Sequence, residues 1–224
     1  MARILILGDS WGVSQRIWPG EENWTEYYFL KRSHTVFNKS WGGVGNEVQL
    51  NFGLSFLKYS GVEIDLVIWY HTELFRQQDG FMNPEYMREH GLLTFEDSVD
   101  AAAGFTYNLA TELKRAQPQA QWAIIGGHAP IRQQRRELLA WADLIIDDWR
   151  SEIVGYKLPE CHILELRDFL VKYNLDPELV AEQLNYRDQI IEACKNYDLF
   201  PDWVHPGIRP VTELNLRLQN QFNL

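Results

Sequence analysis

The chain is poor in cysteine, with Cys161 and Cys194 its only 2 among 224 residues. That number cannot build the disulfide framework of a small secreted domain. It suits a reducing compartment, where the thiols read as small buried hydrophobes rather than nucleophiles. Long hydrophobic runs are missing too. No stretch approaches the ~20 apolar residues that cross a bilayer. The run Ile4-Leu5-Ile6-Leu7 behind Met1-Ala2-Arg3 is too short for an export signal. A cytoplasmic or otherwise non-secreted location is therefore expected, with no membrane partner. Positive charge is scarce: 21 Lys and Arg stand against 31 Asp and Glu, for a net charge of -10. The pI near 5.1 argues against nucleic acid as a partner. The one basic cluster, Arg132-Gln133-Gln134-Arg135-Arg136, reads as a solvated helix face. The sequence has no His-Glu-x-x-His, no other dense ligand spacing and no Walker lysine pattern, so no metal or other cofactor is expected. Repeats and low-complexity tracts are absent as well, which makes one domain the simplest organisation.

Aromatic residues, by contrast, are abundant, at 13% of the chain with 9 Trp. Core packing accounts for many of them. Those in loops, such as Trp11, Trp18, Phe75, Phe81 and Trp203, could instead form a stacking platform for sugar rings or flat substrates.

Apolar, β-rich runs recur at residues 3–7, 35–38, 66–70, 122–125 and 163–166. Their continuous apolar character predicts strands buried on both faces, as in a parallel sheet. Helical patterns fill the gaps at 23–31, 47–59 (with Asn46 as a cap), 96–116, 132–153, 177–197 and 207–221. Strand–helix alternation predicts an α/β fold: a three-layer αβα sandwich over a five-stranded parallel sheet. Two connections, 74–94 and 167–201, exceed the minimal length and read as insertions that open on the site face.

Chemistry concentrates at the two ends. Ser10 lies in Leu7-Gly8-Asp9-Ser10-Trp11-Gly12, directly after the first strand, and His205 in Asp202-Trp203-Val204-His205-Pro206-Gly207. A serine hydroxyl needs a base in hydrogen-bond reach and a third group to orient that base. Ser10, His205 and Asp202 supply those roles if the fold joins the two ends, as a parallel sheet does at the carboxyl edge of its strands. Asp202 is three residues before His205, a spacing that can set its carboxylate beside the imidazole. Pro206 is placed as the first residue of the last helix. The competing reading makes Asp9, Ser10, Asp202 and His205 ordinary turn and cap residues.

Gly8-Asp9-Ser10 after a first strand, with Asp-x-x-His-Pro-Gly near the C-terminus, resembles the SGNH (GDSL-type) hydrolases. The resemblance implies a flavodoxin-like sheet of order 2-1-3-4-5 and a Ser-His-Asp triad. It also implies an oxyanion hole built from the serine N–H, a glycine N–H after the second strand and an asparagine side chain after the third. Gly43 matches that glycine by spacing, with Gly42 and Gly45 as rivals. A phosphate-holding loop is the alternative for this glycine-rich stretch.

The third strand departs from the family pattern. Gly-x-Asn-Asp is replaced by Trp69-Tyr70-His71-Thr72-Glu73-Leu74-Phe75-Arg76. Glu73 stands near the asparagine position, but an ionised carboxylate donates no hydrogen bond. Thr72, His71 or Asn46 are the replacement donors, and Arg76 can pair with Glu73 or hold an anionic group. His128, after the fourth strand, shapes the pocket or competes as base. Trp11, Asn46, Glu73, Arg76, His128 and Trp203 are thus the expected substrate-contacting residues.

The leading function is a serine esterase acting on a small or carbohydrate-linked acetyl ester. A binding module that kept the fold and lost efficient catalysis is the second, favoured if His71 and Thr72 both turn into the core. A metal-dependent hydrolase using Asp9, His71, His128, Asp202 and His205 is the third.

Overall fold

A computed structural model describes residues 1–12, 24–74, 89–91, 95–127, 129–155 and 205–224. Their elements run β1 (Arg3–Leu7), α1 (Thr25–Leu30), β2 (Thr35–Asn38), α2 (Asn46–Ser60), β3 (Leu66–His71), α3 (Phe95–Ala116) and β4 (Gln121–Gly126). A 3₁₀ helix (Gln133–Leu139), β5 (Leu144–Ile146), α4 (Trp149–Val154) and α5 (Ile208–Phe222) complete them.

The five strands form one sheet in the order β2-β1-β3-β4-β5, and every pairing is parallel. The α/β sandwich and the 2-1-3-4-5 order are as expected. Side chains alternate across a strand with period two, so each strand feeds two cores. Ile4, Ile6, Ile68, Tyr70, Ala123 and Ile125 pack on one face against α1, α4 and α5. Leu5, Leu7, Val67, Trp69, Trp122 and Ile124 pack on the other against α2 and α3. Apolar residues are needed on both faces, which is why these strands read as unbroken hydrophobic runs. The first core carries one polar thread. Thr25 Oγ1 lies 2.6 Å from the Tyr70 hydroxyl and donates to Asn215 Oδ1 at 2.9 Å. Burial pushes the Tyr70 phenol well above its ordinary range.

Several expectations are corrected. The stretch 132–153 is not one helix: it holds the 3₁₀ helix, β5 and the first turns of α4. Leu144-Ile145-Ile146 continues the sheet beside β4, paired Ala123 to Leu144 and Ile125 to Ile146. Aspartates bracket it. Asp143 Oδ2 accepts the Trp122 backbone N–H at 2.8 Å, and Asp148 caps α4 by accepting the Ser151 N–H at 3.1 Å. The fifth strand of this sheet is therefore 144–146 rather than 163–166, and the latter lies outside the described residues, as do 177–197 and Cys161 and Cys194. The basic cluster is a solvated face only in part: Gln133 and Gln134 are exposed, and Arg135 and Arg136 are half-exposed. Arg132 is buried and pairs with Asp100 at 3.3 Å, Arg135 pairs with Asp100 at 2.9 Å and Arg136 with Asp147 at 2.7 Å. Finally, Gly45 rather than Asn46 is the cap of α2, and Pro206 precedes α5, whose cap is Gly207.

Among the described residues no helix is long and apolar enough to cross a membrane.

Candidate active site

β1 delivers its chain end into a tight turn. Gly12 N–H donates to Asp9 O at 3.1 Å, and Asp9 Oδ1 accepts the Trp11 N–H at 2.9 Å. A side chain that bonds its own backbone two residues on is a standard way for Asp to fix a turn. Asp9 and Trp11 are buried, whereas Ser10 between them is only half-buried. The turn therefore holds its flanks inside and leaves Ser10 with access to solvent. Gly12 is closely packed: a Cβ there would meet Ser40 Oγ and press on the Tyr70 ring, so the Ser40 side chain would have to turn away.

The loop after β2 is zipped onto this turn. Lys39 N–H donates to Ile6 O at 2.8 Å, and Trp41 N–H to Gly8 O at 2.9 Å. Asn38 Nδ2 donates to Gly12 O at 2.9 Å, while its Oδ1 accepts the Ser40 N–H at 2.9 Å. Gly43 follows with φ of +80°, and a Cβ placed there meets nothing within 4 Å. Its left-handed backbone explains the glycine. Its openness leaves room for a ligand at the position expected to furnish an oxyanion donor.

The end of β3 is built differently from the expectation. Asn46, buried at the first turn of α2, clamps the backbone of Thr72. Its Nδ2 donates to Thr72 O at 2.7 Å, and its Oδ1 accepts the Thr72 N–H at 2.9 Å. The amide is thus committed to positioning β3 rather than to substrate. Thr72 itself is fully buried. Its hydroxyl lies 2.8 Å from Asp9 Oδ2 and 2.8 Å from Glu73 Oε2. A threonine hydroxyl carries one proton, and two carboxyl groups compete for it, so none is left for an oxyanion. His71 is also fully buried, on the same face of β3 as Trp69. Its Nδ1 faces Ala129 O at 3.1 Å, and its Nε2 approaches the Tyr107 hydroxyl at 3.5 Å. A carbonyl partner requires Nδ1 to carry the proton. All three proposed replacements for the family asparagine, Thr72, His71 and Asn46, are therefore buried and engaged inside the protein. Glu73 is buried beside them.

Trp11 is corrected in the same way. It is buried and packs edge-on against Trp149, with ring centroids 5.4 Å apart, and the Arg150 guanidinium stands 5.7 Å from its ring. Trp149 also lines a surface groove with Pro210 and Leu214 of α5. The Ser10 turn and the first turns of α5 thus flank the same tryptophan. His205, half-buried, sits just ahead of that helix. Arg76, His128, Asp202 and Trp203 lie outside the described residues. No group of three or more His, Cys, Asp and Glu among the described residues could hold a metal ion. One site-edge aromatic was missed. Trp41, on the loop zipped to Ser10, is 66% exposed, and its position beside the Gly42-Gly43 pair was the available signal.

No family model matches the chain, and no curated protein matches it by sequence. Among solved structures, TesA is similar at 14% identity and a TM-score of 0.47, over 98% of this chain and 97% of that one. The acetyl xylan esterase AlAXEase is similar at 11% identity and a TM-score of 0.44, over 97% of this chain and 98% of that one. The acetylxylan esterase Axe2 from Geobacillus stearothermophilus is similar at 15% identity and a TM-score of 0.43, over 100% of this chain and 94% of that one.

Proposed function

We propose that the protein is a serine esterase that hydrolyses small or carbohydrate-linked acetyl esters, with Ser10 as nucleophile and His205 as base. One observation carries this reading. Ser10 stands half-buried at the carboxyl edge of β1, between two buried neighbours, with the Gly43 loop fastened beside it through Trp41 N–H and Gly8 O. Ligand sites of parallel α/β sheets form at that edge.

In the proposed reaction His205 takes the Ser10 hydroxyl proton as the oxygen attacks the ester carbonyl. It returns the proton to the leaving alcohol, and water then releases the acyl group by the reverse sequence. Asp202 orients the imidazole. The backbone N–H groups of Ser10 and Gly43 receive the oxyanion. With the Thr72 hydroxyl and the His71 ring engaged in the core, this reading assigns no third donor. Loss of one donor typically lowers the rate by about 10²–10³, which is compatible with a slow enzyme.

The same inward turn of His71 and Thr72 favours a second reading, a binding module on the same scaffold. Turnover of p-nitrophenyl acetate by the purified protein and by Ser10→Ala decides between them. The esterase reading requires turnover that disappears in Ser10→Ala with an unchanged circular dichroism spectrum. Equal rates for the two proteins overturn the nucleophile assignment, and no turnover by either supports the binding module.

A further inference from the structure

From the placement of Trp41 we infer that its indole is the platform on which the site receives a pyranose ring, so the ester it takes is borne by a sugar rather than by an open chain. The inference rests on the proposed site and adds its substrate class. Five of the described tryptophans, Trp11, Trp24, Trp69, Trp122 and Trp149, are buried at 7% exposure or less. Trp41 is 66% exposed. Leaving so large an apolar ring in water forgoes the burial that keeps the other five inside.

The backbone beneath the ring is nevertheless fixed. Trp41 N–H is held by Gly8 O at 2.9 Å, Trp41 O accepts the Val44 N–H at 3.3 Å, and the preceding Ser40 N–H is held by Asn38 Oδ1 at 2.9 Å. An exposed ring on a fixed mount is pre-organised, since little backbone ordering remains to be done when a ligand arrives. The space around it is open as well: a Cβ at Gly42 or Gly43 meets nothing within 4 Å. The bond from Trp41 N–H to Gly8 O mounts this side chain beside the turn that carries Ser10. The C–H face of a pyranose is apolar and flat, and its rim is polar. That matches a flat indole beside free backbone amides.

The test compares wild type, Trp41→Ala and Trp41→Phe on a peracetylated methyl pyranoside and on ethyl acetate. Trp41→Ala should raise KM for the pyranoside about tenfold with kcat unchanged, the signature of lost uniform binding of a stacked ring. Trp41→Phe should stay within about threefold of wild type, because a flat ring remains. Neither should alter ethyl acetate kinetics, and the melting temperature should not move. An unchanged KM for the pyranoside, or equal losses on both esters, overturns the platform. If the wild type hydrolyses neither ester, the esterase reading fails separately, and calorimetric titration of the same pyranoside takes over. About tenfold weaker binding to Trp41→Ala then sustains the platform; equal binding by the two proteins, or none by the wild type, overturns it.

Discussion

Replacing Asn46 by Ala removes the side chain that fastens α2 to the end of β3. The amide makes two buried bonds, to Thr72 O at 2.7 Å and from the Thr72 N–H at 2.9 Å, and Asn46 is 1% exposed. Truncation strips a partner from a buried N–H and a buried carbonyl. A buried group left unsatisfied costs about 1–3 kcal/mol. Two such groups, partly relieved by local relaxation, give a loss of about 2–4 kcal/mol. For a domain of this size, that corresponds to a fall in melting temperature of roughly 5–12 °C. Urea unfolding followed by tryptophan fluorescence measures it as a lower midpoint at constant slope. Asn46→Asp should fare no better, since it keeps the acceptor and sets a carboxylate oxygen against the Thr72 carbonyl. Activity should fall through displacement of β3 and the Gly43 loop, not through a lost substrate contact. A stability change under about 0.5 kcal/mol, in the range of ordinary surface substitutions, would refute the clamp.

Thr72→Val should behave as a structural change: stability should fall by about 1–3 kcal/mol as the Asp9 and Glu73 carboxyl groups lose their shared hydroxyl. The rate should fall less than the about 10²–10³ expected of an oxyanion donor. A hundredfold rate loss at unchanged melting temperature would return Thr72 to the site. The pH dependence of stability should carry a contribution from His34. Burial lowers its pKa from the ordinary 6.5, and its Nδ1 accepts the Ala2 N–H at 3.1 Å. A depressed histidine pKa favours the neutral form in the folded state, so stability is full above 6.5 and declines as pH drops below it. Urea midpoints measured between about pH 7 and 5 should fall less steeply in His34→Gln, and identical slopes would contradict the assignment.

Much of the scaffold could be read from residue patterns, because four strands carry apolar side chains on both faces and glycine or asparagine turns separate them from helices. β5 was hidden by its brevity. Leu144-Ile145-Ile146 is too short to show a period, and the alanines, leucines and arginines around it keep a helical rhythm. The bracketing Asp143, Asp147 and Asp148 were the overlooked sign, since aspartate favours element ends over helix interiors. The inward turn of His71 followed from the strand itself, because alternation places it on the face of Val67 and Trp69. Thr72 could not be read so simply. It lies just past β3, and its direction depends on Asp9, 63 positions earlier. The exchange of Trp11 for Trp41 as the exposed ring has the same origin, since a loop aromatic faces whatever tertiary neighbour the fold supplies, and here Trp149 supplied one for Trp11.

The central claim is that the Ser10 hydroxyl is an activated nucleophile. Incubation of the native protein with a fluorophosphonate probe, followed by peptide mapping by mass spectrometry, tests it without reference to any ester. The account predicts stoichiometric labelling on the peptide containing Ser10, abolished by prior unfolding and by His205→Ala. A protein that stays unlabelled, or that carries the probe on another serine, would contradict it.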